Sequence, residues 1–229
     1  MRQANFKSFG NLLSELDECS ATKKKISLIS GFIKGIDPRD GSWILALLMG
    51  NRQKRVITGR RLREILQSNS KIPTWLFDDC FAQVGDSAET ISLLWPQIKH
   101  EYDTSKLECS EEIELVLNEL RDSNSIHWWM ENLLPKLKNL KDVAQKNAIL
   151  RLWKKIPDLD HYLANKLITG GFRIGVSKGI VVKSIAQSYE LDESTILERL
   201  MAPMEPDTLW FQALTQPAAK NSTNRGAIP

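Results

Sequence analysis

Apolar residues recur every three or four positions almost from the start of the chain. Phe6, Phe9, Leu12, Leu13 and Leu16 fall on one helical face and Ile26, Ile29, Phe32 and Ile33 on the next, which predicts two amphipathic helices. An unbroken apolar run from Trp43 to Met49, between the turn-forming Asp37-Pro38-Arg39-Asp40-Gly41 and Gly50, predicts a buried third. Thr58 is placed to cap Gly59 to Gln67 and Thr74 to cap Trp75 to Gln83. Asp86 and Glu89 form a capping box before Thr90 to Trp95. Ser110 precedes Glu111 to Arg121, a helix around Ser125 to Leu134 meets Pro135, and Leu140 to Ile156 carries Val143, Ile149, Leu152, Trp153 and Ile156 at helical spacing. Pro157-Asp158 opens a segment ending at Ile168, before Gly170-Gly171. Ser177 to Tyr189, Asp192 to Met201 and a short helix capped by Asp207 and reaching Leu214 complete the series. No segment alternates with period two between hairpin turns, and no repeat of fixed period is visible. The expected fold class is all-α, a single irregular bundle of roughly a dozen short helices. It is expected to span residues 1–214, with residues 215–229, rich in Pro, Ala, Asn and Gly, as a linker or tail.

Composition narrows the class without naming a function. With 229 residues, 42% apolar and 26% charged, the chain is long and apolar enough for a buried core, which excludes a disordered protein. Charge returns too soon after the N-terminus for a signal peptide, and no apolar stretch is long enough for a membrane span, so a cytoplasmic protein is expected. Cys19, Cys80 and Cys109 lack C-x-x-C spacing and are expected to be free thiols. His100, His127 and His161 have no partner at metal-ligand spacing, so no metal is expected. No nucleophile can be paired with a base. The seven tryptophans mostly fall on apolar helical faces and are expected in the core.

The net charge of +3 is small, but its distribution is uneven. No acidic residue lies between Gly41 and Arg63, where Arg52, Lys54, Arg55, Arg60, Arg61 and Arg63 crowd together. A second acid-free stretch, His161 to Tyr189, holds Lys166, Arg173, Lys178 and Lys183, while Asp103, Glu108, Glu111, Glu112, Glu114 and Glu119 cluster elsewhere. Around Gly170, Gly171 and Gly175 one helix stops and another starts near Ser177. Such a loop offers backbone N–H groups, a helix dipole and nearby cations to a phosphate, although the same residues also make an ordinary turn. It is not a nucleotide P-loop, because Val176 stands where that motif needs lysine.

Three ordered blocks carry a family resemblance. WLFDDCFAQVGDSAETISLLWP (Trp75 to Pro96), NKLITGGFRIGVSKGIVVKSIAQ (Asn165 to Gln187) and GSWILALLMGNRQKRVITGRRLREIL (Gly41 to Leu66) together resemble the N-terminal DNA-binding domain of ATP-dependent DNA ligases, most closely the bacterial multi-domain enzymes. The resemblance implies an all-helical module lying against the minor groove of nicked duplex DNA, reading backbone and not bases. It implies nicked double-stranded DNA and the catalytic domains of the same parent as partners, no membrane, and use at a bacterial nucleoid. By position in GGFRIGVSKG it implies Arg173, Gly175, Ser177 and Lys178 as phosphate contacts, and Gly171, Lys183, Arg52, Lys54, Arg55, Arg60 and Arg61 are expected to contact DNA with them. Gly85 and Asp86 also match, with Asp86 read as a helix cap. The family's adenylated lysine lies in K-x-D-G, a motif absent here: before Asp40-Gly41 its position is Pro38. No catalytic residue or cofactor is therefore expected in this chain, and ATP and Mg2+ are implied for the parent enzyme. Two other classes fit the charge pattern: a helical scaffold whose basic loops bind an acidic protein, and a helix-turn-helix regulator at Thr58 to Gln67 or Ser177 to Tyr189.

Overall fold

The computed structural model describes residues 4–50, 55–68, 70–105, 107–121, 124–172, 175–203 and 205–217. These residues form an all-α assembly, with a single isolated bridge, Asn5 to Ser125, as its only β pairing among them. The helices are α1 (Phe6–Glu18), α2 (Thr22–Ile33), α3 (Pro38–Leu48), α4 (Gly59–Gln67), α5 (Thr74–Val84), α6 (Ser87–Ile98) and α7 (Glu111–Glu119). They continue as α8 (Ile126–Trp128), α9 (Leu134–Asn139), α10 (Asp142–Lys155), α11 (His161–Thr169), α12 (Lys178–Tyr189), α13 (Glu193–Arg199) and α14 (Thr208–Thr215). No helix among the described residues is long and apolar enough to cross a membrane.

Most start signals act as the sequence suggests. The side chains of Thr58, Asp86, Ser125, Ser177 and Asp207 accept from backbone N–H groups in the first turns of α4, α6, α8, α12 and α14. Other boundaries differ for local reasons. Asp37-Pro38 does not make a turn before α3 but starts it, with Pro38 in its first turn and Asp37 accepting from the N–H groups of Arg39 and Asp40. Thr74 is the first residue of α5 and not its cap, which is Pro73. Ser110 occupies the N-cap of α7 without a side-chain bond. Pro135 does not stop its helix, because a π turn at Trp129–Leu133 widens the preceding backbone and the Leu134 N–H donates to Trp129 five residues back.

The central post is α11, in which Leu163, Ala164, Asn165, Lys166, Leu167 and Ile168 are all buried. A helix enclosed on every side must satisfy its polar groups internally. Asn165 does so by accepting from Trp153 Nε1 at 2.8 Å and donating to the Ala88 carbonyl at 3.4 Å. Trp95 and Trp153 pack with centroids 5.2 Å apart beside His161, and Phe6 stacks on Trp129 at 3.9 Å. Not every predicted core residue is inside: Trp75 and Val143 are exposed. α12 packs against α2, and α14 closes over α3 where Gly41 meets the Phe211 ring. Cys19, Cys80 and Cys109 are free.

Candidate nucleic-acid interface

The site grows from the end of α11. Gly170 takes a left-handed conformation, φ 66°, and its N–H closes back on the carbonyls of Lys166 and Leu167, turning the chain out of the helix. The Ile168 carbonyl, left without a helical partner, accepts from the N–H groups of Val56 at 2.9 Å and Ile57 at 3.3 Å. This backbone contact fastens the segment that carries exposed Arg55 and leads into α4 to the glycine-rich end of α11. The two basic regions, remote in sequence, meet here.

Thr58 Oγ1 then accepts from the Arg61 N–H at 3.2 Å to begin α4. Gly59 lies against Ser87, so the starts of α4 and α6 adjoin, with Gly85 and Asp86 just before the latter. Arg60 and Arg61 project from the first turn of α4 and both pair with Glu64, at 3.3 and 3.0 Å. The hydrogen bond from Arg61 is the largest influence holding the Glu64 carboxyl below its usual range. Arg63 is engaged within the fold, pairing with Asp78 at 2.6 Å and lying over the Phe77 ring, which uses it in packing.

On the far side of the glycine loop, Gly175 is left-handed at φ 56°. Ser177 accepts from the Ile180 N–H at 3.3 Å to open α12, and Ser177, Lys178 and Lys183 are exposed, with Gly171 half-buried. The structure therefore places Gly171 just past the end of α11 and Gly175, Ser177 and Lys178 at the start of α12, with Lys183 further along α12, while the segment of Arg55, Arg60 and Arg61 is tied by Val56 and Ile57 to Ile168. Arg52, Lys54 and Arg173 lie outside the described residues.

Sequence reasoning missed Lys25, whose Nζ donates to the Gly175 carbonyl at 3.0 Å. A signal was present in Thr22-Lys23-Lys24-Lys25, a first turn with three cations, no acid and no capping side chain, opposite to what the helix dipole favours. Lys166, by contrast, is only 4% exposed and works inward, 3.1 Å from Asp86 and over the Tyr162 ring. With Asp17, Glu89 and Gly171 these residues line a depression of about 560 Å³ beside the glycine loop. Burial, then the hydrogen bond to Asp17, raises the Tyr162 hydroxyl, and burial raises Glu89.

His127 is not the partnerless residue its sequence position suggests. Asp37, Asp40 and His127 bring their oxygens and ring nitrogen within 4.8 Å of one another. The carboxylates are already engaged, Asp37 by the N–H groups of Arg39 and Asp40 and Asp40 by Ala4 and His127. Their arrangement serves capping and stapling, and the folded chain gathers them from helices that the sequence keeps apart.

Exposed cations, glycines and a capped helix start thus lie on a helical frame at the end of α11 and the starts of α4 and α12. The chain belongs to the DNA ligase N-terminus family, whose profile matches residues 5–186, and is an N-terminal domain of an ATP-dependent DNA ligase. The match includes α1 to α11, most of α12 and all the basic segments just described, whereas α13 and α14 follow it. No curated protein matches the chain.

Proposed function

We propose that this chain holds nicked duplex DNA through its phosphates and minor groove, without reading bases, so that catalytic domains elsewhere in the parent ligase can seal the break. The observation that supports this reading is the bond of Val56 and Ile57 to Ile168, which fastens the basic segment of Arg55, Arg60 and Arg61 to the glycine-rich end of α11. Arg52, Lys54 and Arg173 belong to the same two segments in sequence and are assigned the same role. Phosphate binding by such groups releases counterions, so affinity falls steeply with salt and is insensitive to sequence. ATP, Mg2+ and the adenylated lysine are assigned to the parent's catalytic part, which fits the absence of K-x-D-G from this sequence.

The test is binding to fluorescent nicked and intact duplexes across a salt series. Lys178→Ala is expected to weaken binding equally on all sequences and to reduce the log–log salt slope by about 0.9. Arg173→Ala is expected to behave likewise. A preferred base sequence would favour the helix-turn-helix reading, and binding of an acidic polypeptide in place of DNA would favour the scaffold.

A further inference from the structure

We infer that Lys25 is a positioning residue for the proposed DNA-holding loop: its ammonium clasps the Gly175 carbonyl and so fixes how the start of α12 is presented. The inference rests on the proposed function but adds an element, α2, that the basic segments in sequence do not include. The geometry is specific. Nζ of Lys25 lies 3.0 Å from the Gly175 oxygen and 3.3 Å from where a Cβ on residue 175 would sit, so glycine at this position gives the clasp its room. Gly175 is also left-handed, a conformation that side chains disfavour, and two residues later Ser177 caps α12.

The Gly175 carbonyl, its lone pair engaged by the Lys25 ammonium, repels an approaching phosphate less than a bare carbonyl would. Backbone N–H groups attract such an anion and carbonyl oxygens repel it, so the orientation of this one peptide matters electrostatically. The three lysines that open α2 without a cap disfavour the helix locally, and Lys25 has a use that offsets this. α2 and α12 pack along each other, which gives the clasp a firm base.

The experiment compares Lys25→Met, Lys25→Arg, Lys24→Met and Gly175→Ala. Lys24 is the control for loss of charge, being exposed and on the same turn. In the free protein, Lys25→Met is expected to raise amide hydrogen exchange at Ile180 and Val181, whose N–H groups bond back to Ser177, about tenfold with the thermal midpoint unchanged, an effect equivalent to one lost charge-assisted hydrogen bond. Lys24→Met should leave that exchange alone. On nicked duplex, Lys25→Met should weaken binding about fivefold to tenfold more than Lys24→Met, with the same salt slope as that control. Lys25→Arg should restore both readouts, and adding Lys25→Met to Gly175→Ala should have no further effect. Unchanged exchange in Lys25→Met would overturn the clasp. Equal binding losses in Lys24→Met and Lys25→Met, or a salt slope reduced as far as in Lys178→Ala, would overturn the positioning role. If the unaltered chain fails to bind DNA, the DNA reading falls and the role in binding with it, while the exchange measurement still decides the clasp.

Discussion

Asp40 Oδ1 lies 2.8 Å from His127 Nδ1 and 3.0 Å from the His127 backbone nitrogen, while Oδ2 accepts from the Ala4 N–H at 3.2 Å. One fully buried carboxylate thus ties α3 to the chain's first described residue and to the start of α8. Removing it leaves three donors without their acceptor. Asp40→Ala is expected to lower stability by about 3–5 kcal/mol, seen as a fall in thermal midpoint on the order of 10 °C. A loss within experimental error would show that water replaces the carboxylate at no penalty.

Stability should also fall in mild acid because of His161. Burial is the main cause that pushes its folded value down to about 4 from 6.5, outweighing the nearby Asp158 charge and the backbone groups of Trp153 and Ile156 that favour the charged ring. The folded protein therefore keeps the ring neutral while the unfolded chain takes up a proton. The contribution is fully present above about 6.5 and is lost as pH falls toward about 4. Its size is roughly 3 kcal/mol. Urea unfolding of the wild type and of His161→Phe from pH 7 to pH 4 should show a shallower fall in the variant, and parallel curves would remove His161 as the cause.

The Lys166–Asp86 pair is asymmetric, since the ammonium is 4% exposed and the carboxylate 34%. Asp86→Asn preserves a capping oxygen for the Glu89 N–H but strands a buried cation, whereas Lys166→Met leaves a carboxylate that water can reach. We expect Asp86→Asn to destabilise by about 1–3 kcal/mol and Lys166→Met by less, measured by denaturant midpoint. The reverse order would contradict this account.

At position 41 a Cβ would stand 2.3 Å from the Phe211 ring and 2.9 Å from Ile36. Gly41→Ala should therefore push α14 off α3 and cost about 1–3 kcal/mol, despite alanine's better helix propensity. Trimming the ring with Phe211→Leu in the same chain should recover part of the loss in thermal midpoint, and no recovery would place the strain elsewhere.

Glu64 is shared by Arg60 and Arg61 at the proposed interface. If these guanidiniums meet phosphate, Glu64→Gln releases both and removes a repelling charge, so affinity for duplex DNA should rise about twofold to fivefold at low salt. Weaker binding would mean that Glu64 is needed to aim them.

Local signals were legible in the sequence and contacts across the fold were not. Thr58, Asp86 and Ser177 announce their helices because capping needs only residues three positions on. The start of α3 was missed because Pro38 and Gly41 read as turn residues, and Gly41 is explained only by Phe211 above it. Pro135 was misread as a stop because a π turn has no sequence signature as plain as proline's. Of the site, the glycine loop and both basic segments stood out. Their joining through the Ile168 carbonyl involves backbone atoms that any residue possesses, and the Lys25 to Gly175 bond crosses 150 positions.

That long crossing bears on how the protein is made. In a chain emerging from the ribosome Lys23 to Lys25 precede Gly175 by some 150 positions, and Gly175 arrives only after α2 to α11 have been synthesised. Until then Lys25 lacks the carbonyl that holds its ammonium in the folded protein. The proposed grip on DNA, so far as it depends on the Lys25 to Gly175 bond, is consequently acquired late.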